Sequence, residues 1–174
     1  MTAPTTATTT TQVYRVYIKA SREKIWQAIV DPEWNSRYGY AAPGFYELKP
    51  GGSYRSTPND GMIEYARQHD FPMPDTILDG EVIEVDPPRL LVQTWRLLMD
   101  PATAAEPFST VTFLIEELAS QPGVCKLTVT HDLPDSPASA TLVSGAAEEG
   151  AGGGWAWILS DLKSLVETGK TFND

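Results

Sequence analysis

Between Thr76 and Leu133 the chain alternates apolar and polar residues in four successive runs, and few architectures accommodate such a series. The runs are ILDGEVIEV, RLLVQTWRLL, STVTFLIEEL and VCKLTVTHDL. Asp86-Pro87-Pro88 separates the first pair, an Ala/Pro connection the second, and Pro122-Gly123 the third. Period-two alternation bounded by proline and glycine predicts β-strands, and links this short predict antiparallel neighbours. Parity then assigns faces. Leu91, Gln93, Trp95 and Leu97 share one side of their strand, Val111, Phe113 and Ile115 one side of the next, and Cys125, Leu127, Val129 and His131 one side of the last. The bulky side is expected to face the core.

A sheet with one apolar face must be covered. The segment WAWILSDLKSLVETG supplies the cover: Trp155, Ile158, Leu159, Leu162, Leu165 and Val166 fall on one helical stripe that ends at Gly169. The start of the chain completes the pattern. Val13–Lys19, VYRVYIK, reads as a first strand with Tyr14, Val16 and Ile18 on one side. Ser21 offers an N-cap to a short helix carrying Ile25, Trp26 and Ile29, and Asp31-Pro32 opens a second one bearing Trp34. Phe45–Leu48 and Ser53–Ser56 flank the turn Lys49–Gly52 as a hairpin. Between Pro58 and Pro74, where Tyr65, His69 and Phe71 lie, no periodicity holds, which predicts a long loop, either a lid or a surface insertion. Pro134–Gly154 is rich in small residues, and its glycine-rich end is expected to be flexible. The element order is that of an α+β fold: a curved antiparallel sheet of about seven strands around a long C-terminal helix, with two short helices between strands 1 and 2.

The length of 174 residues suits one domain, expected over 12–170 after a Thr-rich disordered tail at 1–11. With 13 basic against 23 acidic residues the net charge is −10, which repels nucleic-acid phosphates and anionic membrane surfaces. No apolar run is long enough to span a bilayer and no secretory pattern opens the chain, so the expected compartment is the cytoplasm. The single cysteine, Cys125, lies within a strand run and reads as a small buried hydrophobe.

The phrases IKASREKIWQAIVDPEWNSRY, DGEVIEVDPPRLLVQTWR, STVTFLIEEL, LTVTHDLP and GWAWILSDLKSLVE, in that order, resemble the AHSA-type branch of the SRPBCC, or START-like, superfamily. That branch is named for the activator of the heat-shock protein 90 ATPase. The resemblance runs from about Val13 to Val166 and implies the helix-grip, or START/Bet v-like, fold. It departs from the family in the segments 58–74 and 134–154. The superfamily serves lipid transport, hormone sensing, polyketide aromatisation, co-chaperone work and allergen ligand binding, so the fold alone does not assign a task.

A sheet gripping a helix leaves a space between them. Trp95, Phe113, Leu127, Val129, Trp155, Ile158 and Leu159 are the candidate apolar lining, with simple core filling as the competing role. Gln93 and His131 share the inward parity and are the candidate polar groups, each of which needs a hydrogen-bond partner if buried. His131 beside Asp132 at a strand end points to a structural role rather than a general base, and His69 to a solvated one. No HExxH, CxxC or paired histidine suggests a metal, no cofactor motif is present, and GxSxG is absent, so no catalytic residue is assigned. The glycines at 150 and 152–154, next to Glu148-Glu149, read as a hinge. The leading expectation is a binder of a small hydrophobic or aromatic molecule in a carrier, sensor or regulatory role, acting as monomer or homodimer. The alternatives are a chaperone-ATPase-activator-like module that docks on a chaperone or other protein, and a cyclase or aromatase using His131 and Gln93.

Overall fold

The computed structural model describes residues 10–146 and 152–174. Strand β1 (Thr11–Ile18) leads into α1 (Arg22–Val30) and α2 (Pro32–Asn35), then into β2 (Gly44–Tyr46) and β3 (Ser53–Ser56). Helix α3 (Asp60–Gln68) precedes β4 (Leu78–Asp86) and β5 (Leu90–Leu97). A single turn, α4 (Pro101–Ala104), precedes β6 (Ser109–Glu117) and β7 (Cys125–Asp132), and α5 (Pro137–Ser144) and α6 (Gly154–Thr168) close the chain.

The seven strands form one curved antiparallel sheet in the order β1-β7-β6-β5-β4-β3-β2. Chain order is broken once, where β1 pairs with β7 through Tyr14↔Val129 and Val16↔Leu127. Two local features bend the sheet at β4. Its register against β5 shifts between Val82 and Glu84, a bulge that turns a strand. At Gly80 a Cβ would strike the carbonyl oxygen of Thr94, so only glycine permits this approach of the two backbones. Inward residues follow the parity pattern: Leu91, Gln93 and Trp95, Val111, Phe113 and Ile115, and Cys125, Leu127, Val129 and His131 are all buried. The apolar ones among them pack with Ile18, Ile25 and Ile29 and with Leu159, Leu162, Leu165 and Val166 of α6 in one core.

The short helices are capped as their sequences dictate. Ser21 accepts from Lys24 N–H at the start of α1, and Asp31 accepts from Glu33 N–H at the start of α2, with Pro32 at its first position. Helix α6 ends on Gly169 in the left-handed region, φ +78°. The fully buried carboxylate of Asp161 on α6 accepts from Gly39 N–H at 2.8 Å and from Phe172 N–H at 2.7 Å. One side chain thereby ties both the α2–β2 connection and the C-terminal residues to the central helix.

Two segments differ from expectation. Pro58–Pro74 is not a loop throughout but holds α3, started by Asn59, whose side chain accepts from Met62 N–H. Its outer face carries the Arg67–Glu64 ion pair, and Glu64 also accepts from Gln68. Only Ala66 of α3 is buried, so no core-facing stripe marks it in the sequence. The small-residue stretch holds α5, whose end and the start of α6 close on each other through Ala146 N–H to Gly152 O at 2.8 Å. Gly152 and Gly153 lead into α6 and Gly154 begins it, and the expectation for the glycine-rich end concerns in part 147–151, outside the described residues. Residues 1–9 of the expected tail likewise lie outside them, whereas Thr10 accepts from Leu133 N–H and Thr11 pairs with Asp132.

Candidate functional site

Between the sheet and α6 lies a cavity of about 420 Å³. Of the residues expected to line it, Trp95, Phe113, Trp155, Ile158 and Leu159 do so. Gln93, Leu127, Val129 and His131 are instead packed within the core, at 1% exposure for Gln93 and 0% for the other three. The strand parity that identified the six strand candidates cannot distinguish these positions, because it reports the face of the sheet and not how far α6 reaches along it.

Leu78 of β4 and Leu97 of β5 add to the wall, and most of the rest comes from residues outside the four regular strands. Tyr38, Tyr40 and Ala42 descend from the α2–β2 connection, Tyr46, Tyr54 and Ser56 from the first hairpin, and Met62 from α3. Leu142 and Val143 of α5 and Met99 beyond β5 complete it. Applying parity to the hairpin would have found Tyr54 and Ser56, which alternate with exposed Ser53 and Arg55. Tyr38 and Tyr40 follow no period, and their placement depends on the Asp161 anchor and on Asn59 Nδ2, which donates to the carbonyls of Tyr40 and Ala41.

His131 sits behind the aromatic wall in a chain of hydrogen bonds whose direction is determined. The indole N–H of Trp155 can only donate, and it lies 3.1 Å from His131 Nδ1. Nδ1 therefore accepts and the neutral ring carries its proton on Nε2, which donates to Ser109 Oγ at 2.7 Å. Ser109 passes its own proton to the carbonyl of Trp95 at 3.0 Å. The imidazole thus donates to the serine rather than withdrawing a proton from it. Burial lowers the His131 pKa to about 4, the nearby Asp132 charge acting weakly in the opposite sense. Trp95 and Trp155 meet this ring edge-on, with centroids 5.0 Å and 6.0 Å away. A neutral histidine saturated at both nitrogens orients two tryptophans of the cavity wall.

The phenols behave differently. Burial raises Tyr38, Tyr46 and Tyr54 above the ordinary range, Tyr54 to about 12, so all three are protonated donors at physiological pH. Tyr46 and Tyr54 stack with centroids 4.6 Å apart. Among the described residues no three of His, Cys, Asp or Glu gather as metal ligands, and no helix is long and apolar enough to cross a membrane.

A family model described as activator of Hsp90 ATPase homolog 1-like protein matches residues 19–167. The chain belongs to this family. Members of the Hsp90-activator-homolog family and their structural kin share the helix-grip architecture, and three solved structures illustrate it. CalU16 from Micromonospora echinospora is 18% identical, with 92% of this chain and 78% of that one covered at a TM-score of 0.60. A Bordetella parapertussis protein is 23% identical, with 95% and 84% covered and a TM-score of 0.62. An HSP90 activator from Plasmodium falciparum is 16% identical, with 94% and 91% covered and a TM-score of 0.51. At these identities the likeness is one of fold. A search of curated proteins returned no match.

Proposed function

We propose that this family member binds a small hydrophobic or aromatic molecule in the cavity between its sheet and α6, as a carrier, sensor or regulator. The cavity itself carries this reading: about 420 Å³ lies within the span of small-molecule sites and is walled mainly by aliphatic and aromatic side chains. Structural polarity is confined to a few hydroxyl and amide groups, the usual balance of a site that selects by shape and one or two directional bonds. Trp95 and Trp155 both line the space, so occupancy is expected to alter intrinsic tryptophan emission. A broad panel of lipids and aromatic compounds, followed by emission and native mass spectrometry, tests the reading. Retention of no compound by either method would overturn it.

A second reading, docking on a chaperone, is favoured by family membership together with an apolar groove of about 570 Å³ on the outer side of α3, lined by Met62, Tyr65, Phe71, Met73 and Met99. Unaltered ATPase turnover of an Hsp90-type chaperone mixed with this protein would remove that reading.

A further inference from the structure

Among the described residues, accessible sulfur is confined to one place. The three methionines there, Met62, Met73 and Met99, are each half-buried, and all three line the outer groove of α3. Tyr65 and Phe71 in the same wall are exposed, so the groove opens to solvent. Cys125 lies apart from it, 1% exposed, and burial raises its pKa, so it stays a protonated thiol out of reach of a dissolved oxidant. Met62 and Met99 differ from Met73 in one respect: they also line the inner cavity. An oxidant that enters the groove therefore meets the cavity wall at two thioethers.

A thioether needs no deprotonation to react with a peroxide. A sulfur lone pair attacks one peroxide oxygen, the O–O bond breaks and an S–O bond forms, and a proton moves to the departing oxygen, which leaves as water. Sulfur loses two electrons and the peroxide gains them. The product is a polar sulfoxide in an apolar wall, where the neighbouring amides and hydroxyls have already committed their protons. Asn59 Nδ2, in the groove, donates to the carbonyls of Tyr40 and Ala41. On the inner side Asn35 donates to Ile29 O and Gly44 O, Tyr38 to Ala28 O and Ser56 to Pro43 O. A sulfoxide oxygen turned inward thus sits unbonded among apolar side chains, which is unfavourable. One turned out to water takes its side chain away from the cavity. Either result removes apolar contact from whatever occupies the inner space.

We propose that Met62 and Met99 form an oxidation site through which peroxides lower the affinity of the cavity for an apolar ligand, reversibly, because methionine sulfoxide can be reduced. The coupling rests on the reading of the cavity as a binding site. The oxidation itself does not.

The full chain, before and after treatment with hydrogen peroxide, is mapped by peptide mass spectrometry and titrated by calorimetry with N-phenyl-1-naphthylamine, an uncharged aromatic probe. Met62 and Met99 are each expected to gain one oxygen while Cys125 does not, and affinity for the probe is expected to fall about fivefold or more. Methionine sulfoxide reductases of both stereospecificities are expected to restore it. A Met62→Leu/Met99→Leu variant keeps the apolar volume and lacks the reactive sulfur, so peroxide should leave its affinity unaltered, whatever the starting value. A Met73→Leu variant should lose affinity on oxidation as the natural protein does. Met62 and Met99 left unoxidised when Met73 is fully converted, an unaltered affinity with both converted, or a loss that persists in the double variant would each overturn the proposal while leaving the cavity a binding site. A probe bound by neither the untreated nor the oxidised protein would overturn the cavity reading and the coupling with it, whatever the mass map shows.

Discussion

His131 is held neutral by its position between Trp155 and Ser109, and this makes stability depend on pH in a definite direction. In the unfolded chain a histidine takes up a proton near pH 6.5, whereas in the fold it does so only at about 4. Between these values the unfolded state binds the extra proton. The contribution is therefore complete above pH 6.5 and is lost as pH falls toward 4. At pH 5 about 2 kcal/mol should be gone relative to pH 7. Carboxylates such as Glu167, lowered first by its bond from Lys163, act in the same direction, so a His131→Leu variant is needed to isolate the histidine. That variant should be less stable at pH 7 by about 1–3 kcal/mol, since Trp155 and Ser109 lose their partner. Its loss between pH 7 and pH 5 should also be smaller than that of the natural protein. Urea unfolding at both pH values checks this, and parallel slopes for the two proteins would refute it. The sequence shows that His131 and Gln93 face inward, because parity is local. It does not show the partners of His131, because Ser109 and Trp155 are brought to it by other elements.

Element α5 shows the same limit one level up. Ser136-Pro137 looks like a self-contained helix start, yet Ser136 Oγ donates to Pro107 O and caps nothing. The cap is Glu106, whose carboxylate accepts from Ala138 N–H, Ser139 N–H and Ser139 Oγ. Burial alone would raise the Glu106 pKa, and these three hydrogen bonds outweigh that and lower it. Glu106→Ala should destabilise the protein by about 1–2 kcal/mol, in the upper range for loss of a helix cap, as measured by urea unfolding at pH 7. A change within error would show that the cap is dispensable. This helix is obscure in the sequence because its cap lies more than thirty residues upstream and its turns are made of small residues. Helix α3 is obscure for the opposite reason: its cap Asn59 is local and visible, but with Ala66 alone buried it has no stripe to betray it. The four regular strands and α6 were legible because burial imposes a period on them, and five of the nine candidate site residues line the cavity for that reason.

At the scale of the whole molecule, the cavity interrupts an otherwise packed core, and a ligand that occupies it stabilises the folded state alone. At a free concentration one hundred times its dissociation constant, such a ligand adds about 2.7 kcal/mol. For a chain of this length that raises Tm by about 5–11 °C, readable by scanning calorimetry for any compound retained in the binding panel. A retained compound that leaves Tm unmoved would be bound equally well by the unfolded chain. Met62 and Met99 belong to the walls of both the inner cavity and the outer groove of α3. Both are unbranched thioethers, and rotation about their single bonds moves side-chain atoms without breaking a hydrogen-bonded strand. A change of rotamer at either methionine therefore reshapes both hollows at once, so neither is a wholly independent space.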